Sequence, residues 1–345
     1  MKHNWEYKPF AKVLKTITPT SKIDKSEYKL SGIYPIISQE DTFISGYWNN
    51  NDDVTQHSSP VVIFGDHSRV LKYIDFEFVV GADGVKIIQP TDLLSAKFLY
   101  HFLKWYNVPS LGYARHFKLL KEINYPVPPM ETQEHIVAEL DQINDLIAKN
   151  RELLSQLDAL AQSIFYDTFG DPMTNPKGWG TQHFESCIHK IKYPSKKLLT
   201  TEYFSSGKYP IVSQEDSLIS GYSDREDCVF HISNPVIVFG DHTRILKYVS
   251  FSFVLGADGV KILSPINTLS PRYFYFCLLL FKIPSLGYSR HYKLLKELKI
   301  PIPPLALQED FTAKVEAIEA QKAKVEAEIA ELQTLLDARM DYWFN

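Results

Sequence analysis

The chain has 345 residues, of which 45% are hydrophobic, and this is enough to build the cores of two or three folded domains. Its 21 Phe, 20 Tyr and 5 Trp argue against intrinsic disorder, and its most apolar run, at 274–281, is too short to cross a membrane. The formal net charge of −4 offers no obvious affinity for nucleic acid, so the starting expectation is a cytoplasmic globular protein.

A long internal repeat organises the chain. Four segments of the first half return in the second half, each displaced by 175 residues and with few substitutions. A match of this length without a gap indicates a duplication and predicts two similar domains, related by a pseudo-twofold axis. The matching pairs are 34–47 with 209–222, 64–73 with 239–248, 81–87 with 256–262, and 109–122 with 284–297.

Within each copy, the elements follow a common order. The runs VVIFGD and FEFVVGADGVKII predict strands, and their ADG sequence predicts a turn. The spacing of apolar residues predicts buried helices over 93–106 and 271–281, and VPSLGYARH predicts a loop. Proline clusters at 126–129 and 301–304 then end regular structure before the next helix. The three cysteines, Cys187, Cys228 and Cys277, have no counterparts in the first copy, which predicts free thiols and neither a disulfide nor a zinc framework.

Each copy ends in a heptad pattern. Apolar residues step by four and three from Ile136 to Ile164 and from Phe311 to Leu336, which predicts two helices of about 45 Å. So narrow a stripe favours pairing of the two helices as an antiparallel coiled coil, with Asn150, Lys322 and Arg339 fixing their register. The alternative is that each helix packs on its own domain.

Charge is divided between these segments. The helical regions 131–169 and 305–345 together carry −11, which leaves +7 on the remainder. This division favours DNA as the partner of the globular parts and protein as the partner of the helices, although solvated acidic helices would also explain it. The predicted fold is therefore α+β. It comprises a first domain at 1–130, a central long helix at 131–169, a second domain at 170–304 and a C-terminal long helix at 305–345.

Several motifs resemble one protein family. The proline-rich junctions PVPPMETQEHI and PIPPLALQEDF, and the linker FGDPMTNPKGW at 169–179, resemble the specificity subunit of Type I restriction–modification systems. The resemblance implies two target recognition domains that read a bipartite site on double-stranded DNA, with the paired helices setting the spacing. It also implies two modification subunits, which bind the methyl donor S-adenosylmethionine, and restriction subunits in the full complex.

The near-identity of the copies departs from the usual pattern of this family, in which the two recognition domains differ. Near-identical readers across a pseudo-twofold axis predict an inverted-repeat target with an unread spacer. The copies diverge most at 22–33 against 197–208 and at 48–60 against 223–235, so any asymmetry of the target should trace to these stretches.

Catalytic and cofactor motifs are missing from the sequence. It contains no phosphate-binding GxxxxGK loop, no methyltransferase Asn/Asp-Pro-Pro-aromatic motif, and neither HExxH nor CxxC, so no cofactor or metal is expected on this chain. The segment GDHSR (65–69) and its twin GDHTR (240–244) leave three interpretations open. They are a structural turn with the Asp as a cap, a DNA-contacting loop, and the active site of a self-contained DNA enzyme. A coiled-coil adaptor that binds only protein is a further alternative.

The predicted DNA contacts are polar side chains that occur in both copies. Arginine can bind guanine bidentately, Gln can read adenine, and Lys can reach phosphates. Arg69 and Arg115 could instead pair with Asp66 and Glu122, and the SQED segments (38–41 and 213–216) could serve as turns or caps. Tyr113 and Tyr288 are additional candidates for stacking. The predicted set is Gln39, His67, Arg69, Lys72, Lys86, Arg115, His116, Lys118, Gln214, His242, Arg244, Lys247, Lys261, Arg290, His291 and Lys293.

Overall fold

The computed structural model describes residues 3–58, 60–193, 198–256, 259–287 and 289–345. They form two compact units. Unit 1 consists of Met1–Glu152 and Glu326–Asn345, and unit 2 consists of Leu153–Val325. Within the described ranges, no helix combines the length and the apolar character needed to cross a membrane.

Unit 1 contains ten short strands, three short or medium helices and most of a long helix. Its elements, in chain order, are β1 (Glu6–Pro9), α1 (Phe10–Val13), β2 (Leu14–Ile17), β3 (Lys22–Ile23), β4 (Tyr34–Ile37), β5 (Gly46–Trp48), β6 (Val61–Gly65), β7 (Leu71–Ile74), β8 (Val79–Gly81), β9 (Val85–Pro90), α2 (Ala96–Tyr106), α3 (Phe117–Glu122), β10 (Asn124–Val127) and α4 (Met130–Phe169).

The strands of unit 1 form two four-stranded sheets and one ribbon. The sheets have the orders β2-β9-β6-β7 and β3-β8-β4-β5, and β1 pairs with β10. Strand β6 is buried along its whole length because both of its neighbours and helix α2 cover it. Strands β4 and β8 are parallel, so the turns that follow them lie at the same end of their sheet.

Unit 2 repeats most of this order, with the shared elements about 175 residues later in the chain, and a strand at 229–230 has no counterpart in unit 1. Its elements are β11 (Thr181–His183), β12 (Tyr209–Val212), β13 (Gly221–Ser223), β14 (Val229–Phe230), β15 (Val236–Gly240), β16 (Leu246–Val249), β17 (Phe253–Leu255), β18 (Val260–Leu263), α5 (Pro271–Leu280), α6 (Tyr292–Lys296), β19 (Lys299–Pro301) and α7 (Leu305–Phe344). The strands are arranged as β13-β12-β17-β14, β16-β15-β18 and β11-β19.

A buried glutamine fixes the start of each long helix. Gln133 accepts a hydrogen bond from Ser95 N–H (2.8 Å) and donates to the carbonyls of Leu93 (2.8 Å) and Pro128 (2.9 Å). Gln308 makes the equivalent bonds to Ser270, Thr268 and Pro303 in unit 2. The glutamine of each proline-rich junction therefore satisfies backbone groups that would otherwise be buried without partners.

Each unit contains a segment of both long helices. In unit 1, Arg339 bonds to Glu139 through two nitrogens, and Trp343 Nε1 donates to the same carboxylate (2.9 Å). In unit 2, Lys322 Nζ donates to Asp158 (2.7 Å). The polar residues of the predicted heptad stripe thus contact acids on the other long helix.

The predicted elements agree with the observed ones where the periodicity is strong. The helix predicted over 93–106 is observed as Ala96–Tyr106, and the heptad segments form helices of 40 residues each. All three cysteines are buried, and Cys187 and Cys277 are free thiols. The short helices α3 and α6, which follow the predicted loop, were not predicted.

Candidate nucleic-acid interface

Four loops of unit 1 meet at one place, and we call them the four-loop cluster. They are the SQED turn after β4 (38–45), the GDHSR turn between β6 and β7 (66–70), the ADG turn between β8 and β9 (82–84) and the loop before α3 (107–116). Backbone hydrogen bonds join them, from Asp66 N–H to the Gly84 carbonyl (2.7 Å) and from His116 N–H to the Asp66 carbonyl (2.8 Å). Asp241 makes the equivalent pair of bonds in unit 2.

Asp66 has a structural role in this cluster. Its buried carboxylate accepts a hydrogen bond from Phe117 N–H (2.8 Å) and so satisfies the start of α3, while its second oxygen lies 3.7 Å from Lys86 Nζ. Asp241 accepts from Tyr292 N–H (2.7 Å) in the same way. These bonds match the interpretation of GDHSR as a structural turn with its Asp as a cap.

The same bonds leave no catalytic arrangement in GDHSR. Ser68 Oγ donates to the Gln39 carbonyl (2.6 Å), and the Asp66 carboxylate is occupied by Phe117 and Lys86. Neither side chain is hydrogen-bonded to the ring of His67, so the three residues do not form a triad. Among the described residues, no three His, Cys, Asp or Glu side chains lie close enough to hold a metal ion.

Gln39 holds three of the loops together. Its amide nitrogen donates to the Asp83 carbonyl (2.9 Å), and its amide oxygen accepts from His67 N–H (3.1 Å). A Cβ on Gly84 would lie 2.3 Å from that amide, so only glycine fits there. In unit 2, Gln214 accepts from His242 N–H (3.4 Å). Gln39 and Gln214 therefore brace the loop backbone through these bonds, and base contact by either side chain stays a prediction.

Lys72 and Lys247 cannot reach phosphates. Both are buried, and Lys72 Nζ donates to the carbonyls of Ser38 (2.9 Å), Thr42 (2.6 Å) and Phe43 (3.3 Å). Lys247 donates to the carbonyls of Ser213 (2.9 Å) and Ser217. Burial lowers the pKa of both ammonium groups. The prediction that they contact DNA is wrong, since the ammonium group of each lysine is buried and bonds to backbone carbonyls of its SQED turn.

His116 and His291 are also internal. The ring of His116 accepts from Leu111 N–H at Nε2 (2.9 Å), which leaves Nδ1 to donate to the Asp66 carbonyl (2.9 Å). His291 makes the equivalent bonds to Leu286 and Asp241. Both rings are fully used and buried, so their predicted DNA contacts are also wrong.

Arg69 and Arg244 connect two loops of their clusters. Each has a left-handed backbone, with φ of 63° and 65°, which is unusual for a residue with a side chain. Arg69 donates to the Val108 carbonyl (2.8 Å) and Arg244 to the Ile283 carbonyl (3.0 Å). Arg69 therefore bonds to this carbonyl and makes no ion pair with Asp66, and its guanidinium supports the loop that precedes α3.

The remaining predicted residues of unit 1 reach the surface. His67, Arg115 and Lys118 are exposed, and Tyr113 projects fully into solvent with its ring centroid 6.1 Å from that of His67. In unit 2, Arg290 and Lys293 are exposed, whereas Tyr288 lies outside the described residues. Arg244 is exposed, and the partly exposed members of the set are Gln39, Arg69, Lys86, Gln214, His242 and Lys261.

A cleft of about 450 Å³ opens on this surface. Its walls include Glu40 and Asp41 on one loop and His67 and Tyr113 on two others. The two carboxylates belong to the SQED segment, whose acids can accept from a cytosine amino group, but they are not in the predicted set. The cleft therefore combines hydrogen-bond acceptors with two rings, and Arg115 and Lys118 lie in the loop and helix beside it.

Comparisons with known proteins find similar specificity subunits. Residues 2–159 match the family model described as "Type I restriction modification DNA specificity domain". The chain is also 25% identical over 282 residues to the EcoR124I/EcoR124II specificity subunit of Escherichia coli, covering 76% of this chain and 69% of the relative. It is 23% identical to the MjaIX specificity subunit of Methanocaldococcus jannaschii, with the same two coverages.

A solved structure shares the fold. The S subunit of a type I restriction–modification system from M. genitalium superposes with a TM-score of 0.63 at 16% identity, covering 98% of this chain and 96% of that chain. These findings bear out the predicted resemblance to type I specificity subunits.

Proposed function

We propose that this chain reads a bipartite DNA target through its two four-loop clusters and does no chemistry itself. One observation carries the proposal: the same loops, closed by the same internal bonds, present an exposed arginine and lysine in each unit. These pairs are Arg115 with Lys118 and Arg290 with Lys293. Exposed cations on a rigid loop base are suited to guanine edges and phosphates.

The long helices are proposed to pair as an antiparallel coiled coil that sets the spacing between half-sites. Support comes from contacts within each unit, where Arg339 meets Glu139 and Lys322 meets Asp158. The acidic charge of the helices suits docking of protein subunits. On this proposal two modification subunits, which bind S-adenosylmethionine, and restriction subunits assemble on the chain.

Because the two clusters share their construction, the half-sites are proposed to share a sequence core on opposite strands. Such a target is an inverted repeat around a spacer that the protein does not read. The E. coli and M. jannaschii relatives, named as type I specificity subunits, support the assignment of this role.

Substitution of both exposed arginines tests the proposed DNA surface. In the assembled methyltransferase complex, R115A together with R290A should weaken specific DNA binding by about 30-fold or more, since two bidentate contacts of about 1–3 kcal/mol each are lost. Fluorescence anisotropy at several salt concentrations measures this loss. The matched control is K12A, an exposed lysine on α1 outside the cluster, which should leave specific affinity unchanged. Unchanged binding by the double variant would remove the four-loop clusters as the DNA surface.

A further inference from the structure

The segments in which the two units differ most keep a common backbone. We call residues 28–33 of unit 1 and 203–208 of unit 2 the divergent turn. Residue 33 donates its N–H to Asn49 Oδ1 (3.0 Å), and residue 208 donates to Asp224 Oδ1 (2.8 Å). Residues 29 and 204 form equivalent bridges to Tyr47 and Tyr222. The turn is thus held in the same way in both units.

A glycine in the turn has no room for a side chain. A Cβ on Gly32 would lie 2.8 Å from Asn49 Oδ1 and 2.9 Å from the Trp48 carbonyl. At Gly207 a Cβ would lie 3.1 Å from Tyr222 Cβ. The close approach of the two chain segments explains why glycine stands at this position in both units, and it shows that the scaffold has been kept while its neighbours changed.

The exposed side chains on this scaffold have been exchanged for others of different chemistry. Unit 1 presents Lys29, Leu30 and Ile33. Of these, Leu30 is 101% exposed and Ile33 is 70% exposed. Unit 2 presents Phe204, Ser205 and Lys208 at the equivalent positions, with Phe204 55% exposed. Unit 1 combines a cation with two apolar side chains, and unit 2 combines a cation with one. Lys29 lies over the Trp48 ring (5.3 Å to its centroid) and Lys208 over the Tyr209 ring (4.8 Å).

The divergent turn is continuous with the four-loop cluster. The segment that leads into the turn begins at the cluster, where Lys22 pairs with Asp83 (2.9 Å) and Lys25 pairs with Glu40. The turn itself lies at the opposite end of β4 from the cluster. The four residues of β4 span about 13 Å, which corresponds to about four base pairs of DNA. A duplex lying along this surface would meet the cluster and the turn at positions about four base pairs apart.

We propose that the divergent turn determines the base pairs in which the two half-sites differ. This inference rests on the proposed function. In unit 1, Leu30 and Ile33 contact thymine methyl groups beside Lys29, which binds a phosphate. In unit 2, Lys208 and Phe204 face a different base pair. The target is then an inverted repeat in its core, with outer positions that differ between the half-sites.

Exchange of the three side chains between units tests this inference. The variants K29F/L30S/I33K and F204K/S205L/K208I, each assembled with the methyltransferase subunits, are used to select DNA from a pool randomised around the target. Each should change base preference by about 10-fold at one or two outer positions of one half-site, toward the preference of the other half-site, and should keep the core. The control L93S removes an exposed leucine outside the turn and should change nothing.

Unchanged preference at all positions, with intact binding, would overturn the inference. If a triple variant fails to assemble, I33K alone gives the same reading, because the bond from residue 33 N–H to Asn49 does not involve the substituted side chain. The two proposals fail separately. If R115A with R290A weakens binding but the exchange has no effect, only the role of the divergent turn is lost. If neither alters DNA binding, the proposed function is lost as well.

Discussion

The two units build the same loop cluster but differ in how a shorter helix, α2 in unit 1 and α5 in unit 2, contacts a long helix. In unit 1, the buried His101 bonds to Asp141 (2.8 Å), which also pairs with Lys97 (2.5 Å). In unit 2, Phe276 occupies the position of His101 and packs against Phe311, with ring centroids 5.2 Å apart. The same architecture thus tolerates a polar contact in one unit and an aromatic contact in the other.

The difference shows which residues the fold constrains. Side chains that bond to backbone groups inside the loops, such as Lys72 and Lys247, are the same in both units because each buried carbonyl needs a donor. Side chains that only fill space between two helices can be exchanged, provided that the replacement packs and leaves no polar group without a partner.

The largest expected effect concerns a contact that the units share. Gln133→Leu and Gln308→Leu should each destabilise their own unit by about 3–5 kcal/mol, because three buried backbone groups lose their partners at about 1–3 kcal/mol each. Urea denaturation, combined with hydrogen exchange resolved by segment, measures the free energy of unfolding of each unit. The neighbouring exposed Glu134→Leu is the matched control and should cost little. If only one of the two glutamine variants caused a large loss, the two junctions would not be equivalent.

A smaller effect should separate the units. Asp141→Asn in unit 1 should cost about 1–2 kcal/mol, since it weakens the bonds to buried His101 and to Lys97. Burial acts to raise the pKa of Asp141, but the bonds from His101 and Lys97 outweigh it and lower that pKa. The equivalent Glu316→Gln in unit 2 should have almost no effect, because the Phe276 side chain has no donor that could bond to this carboxylate. Segment-resolved hydrogen exchange distinguishes the two outcomes, and equal losses would contradict this account of the difference.

The sequence predicted the elements of this fold well, but it predicted the surface of the cluster less well. Heptad spacing and strand composition depend on residues near in sequence, so the helix from Met130 to Phe169 could be read directly. The role of Lys72 could not, because its partners lie about 30 residues earlier and its burial depends on how β4 and β7 approach one another. The bond that Arg69 makes could not be read from the sequence either, since its carbonyl partner, Val108, is 39 residues away.

The solvent exposure of each predicted side chain decides whether it can reach DNA. His67 and Lys118 share their residue types with the buried His116 and Lys72, and Arg115 with the half-buried Arg69, so composition and spacing could not separate the two groups. Identity between the copies could not separate them either, because a duplication preserves internal bonds as readily as contacts with a partner. The divergent turn was visible in the sequence as a difference, but its shared scaffold required the structure.

Sequencing of methylated sites in a host that expresses the complete system tests the central claim most directly. The account predicts a bipartite motif whose two halves share a core in inverted orientation around an unread spacer, with any differences confined to outer positions. Two half-sites with unrelated cores would contradict the claim that the two units read DNA through equivalent loop clusters.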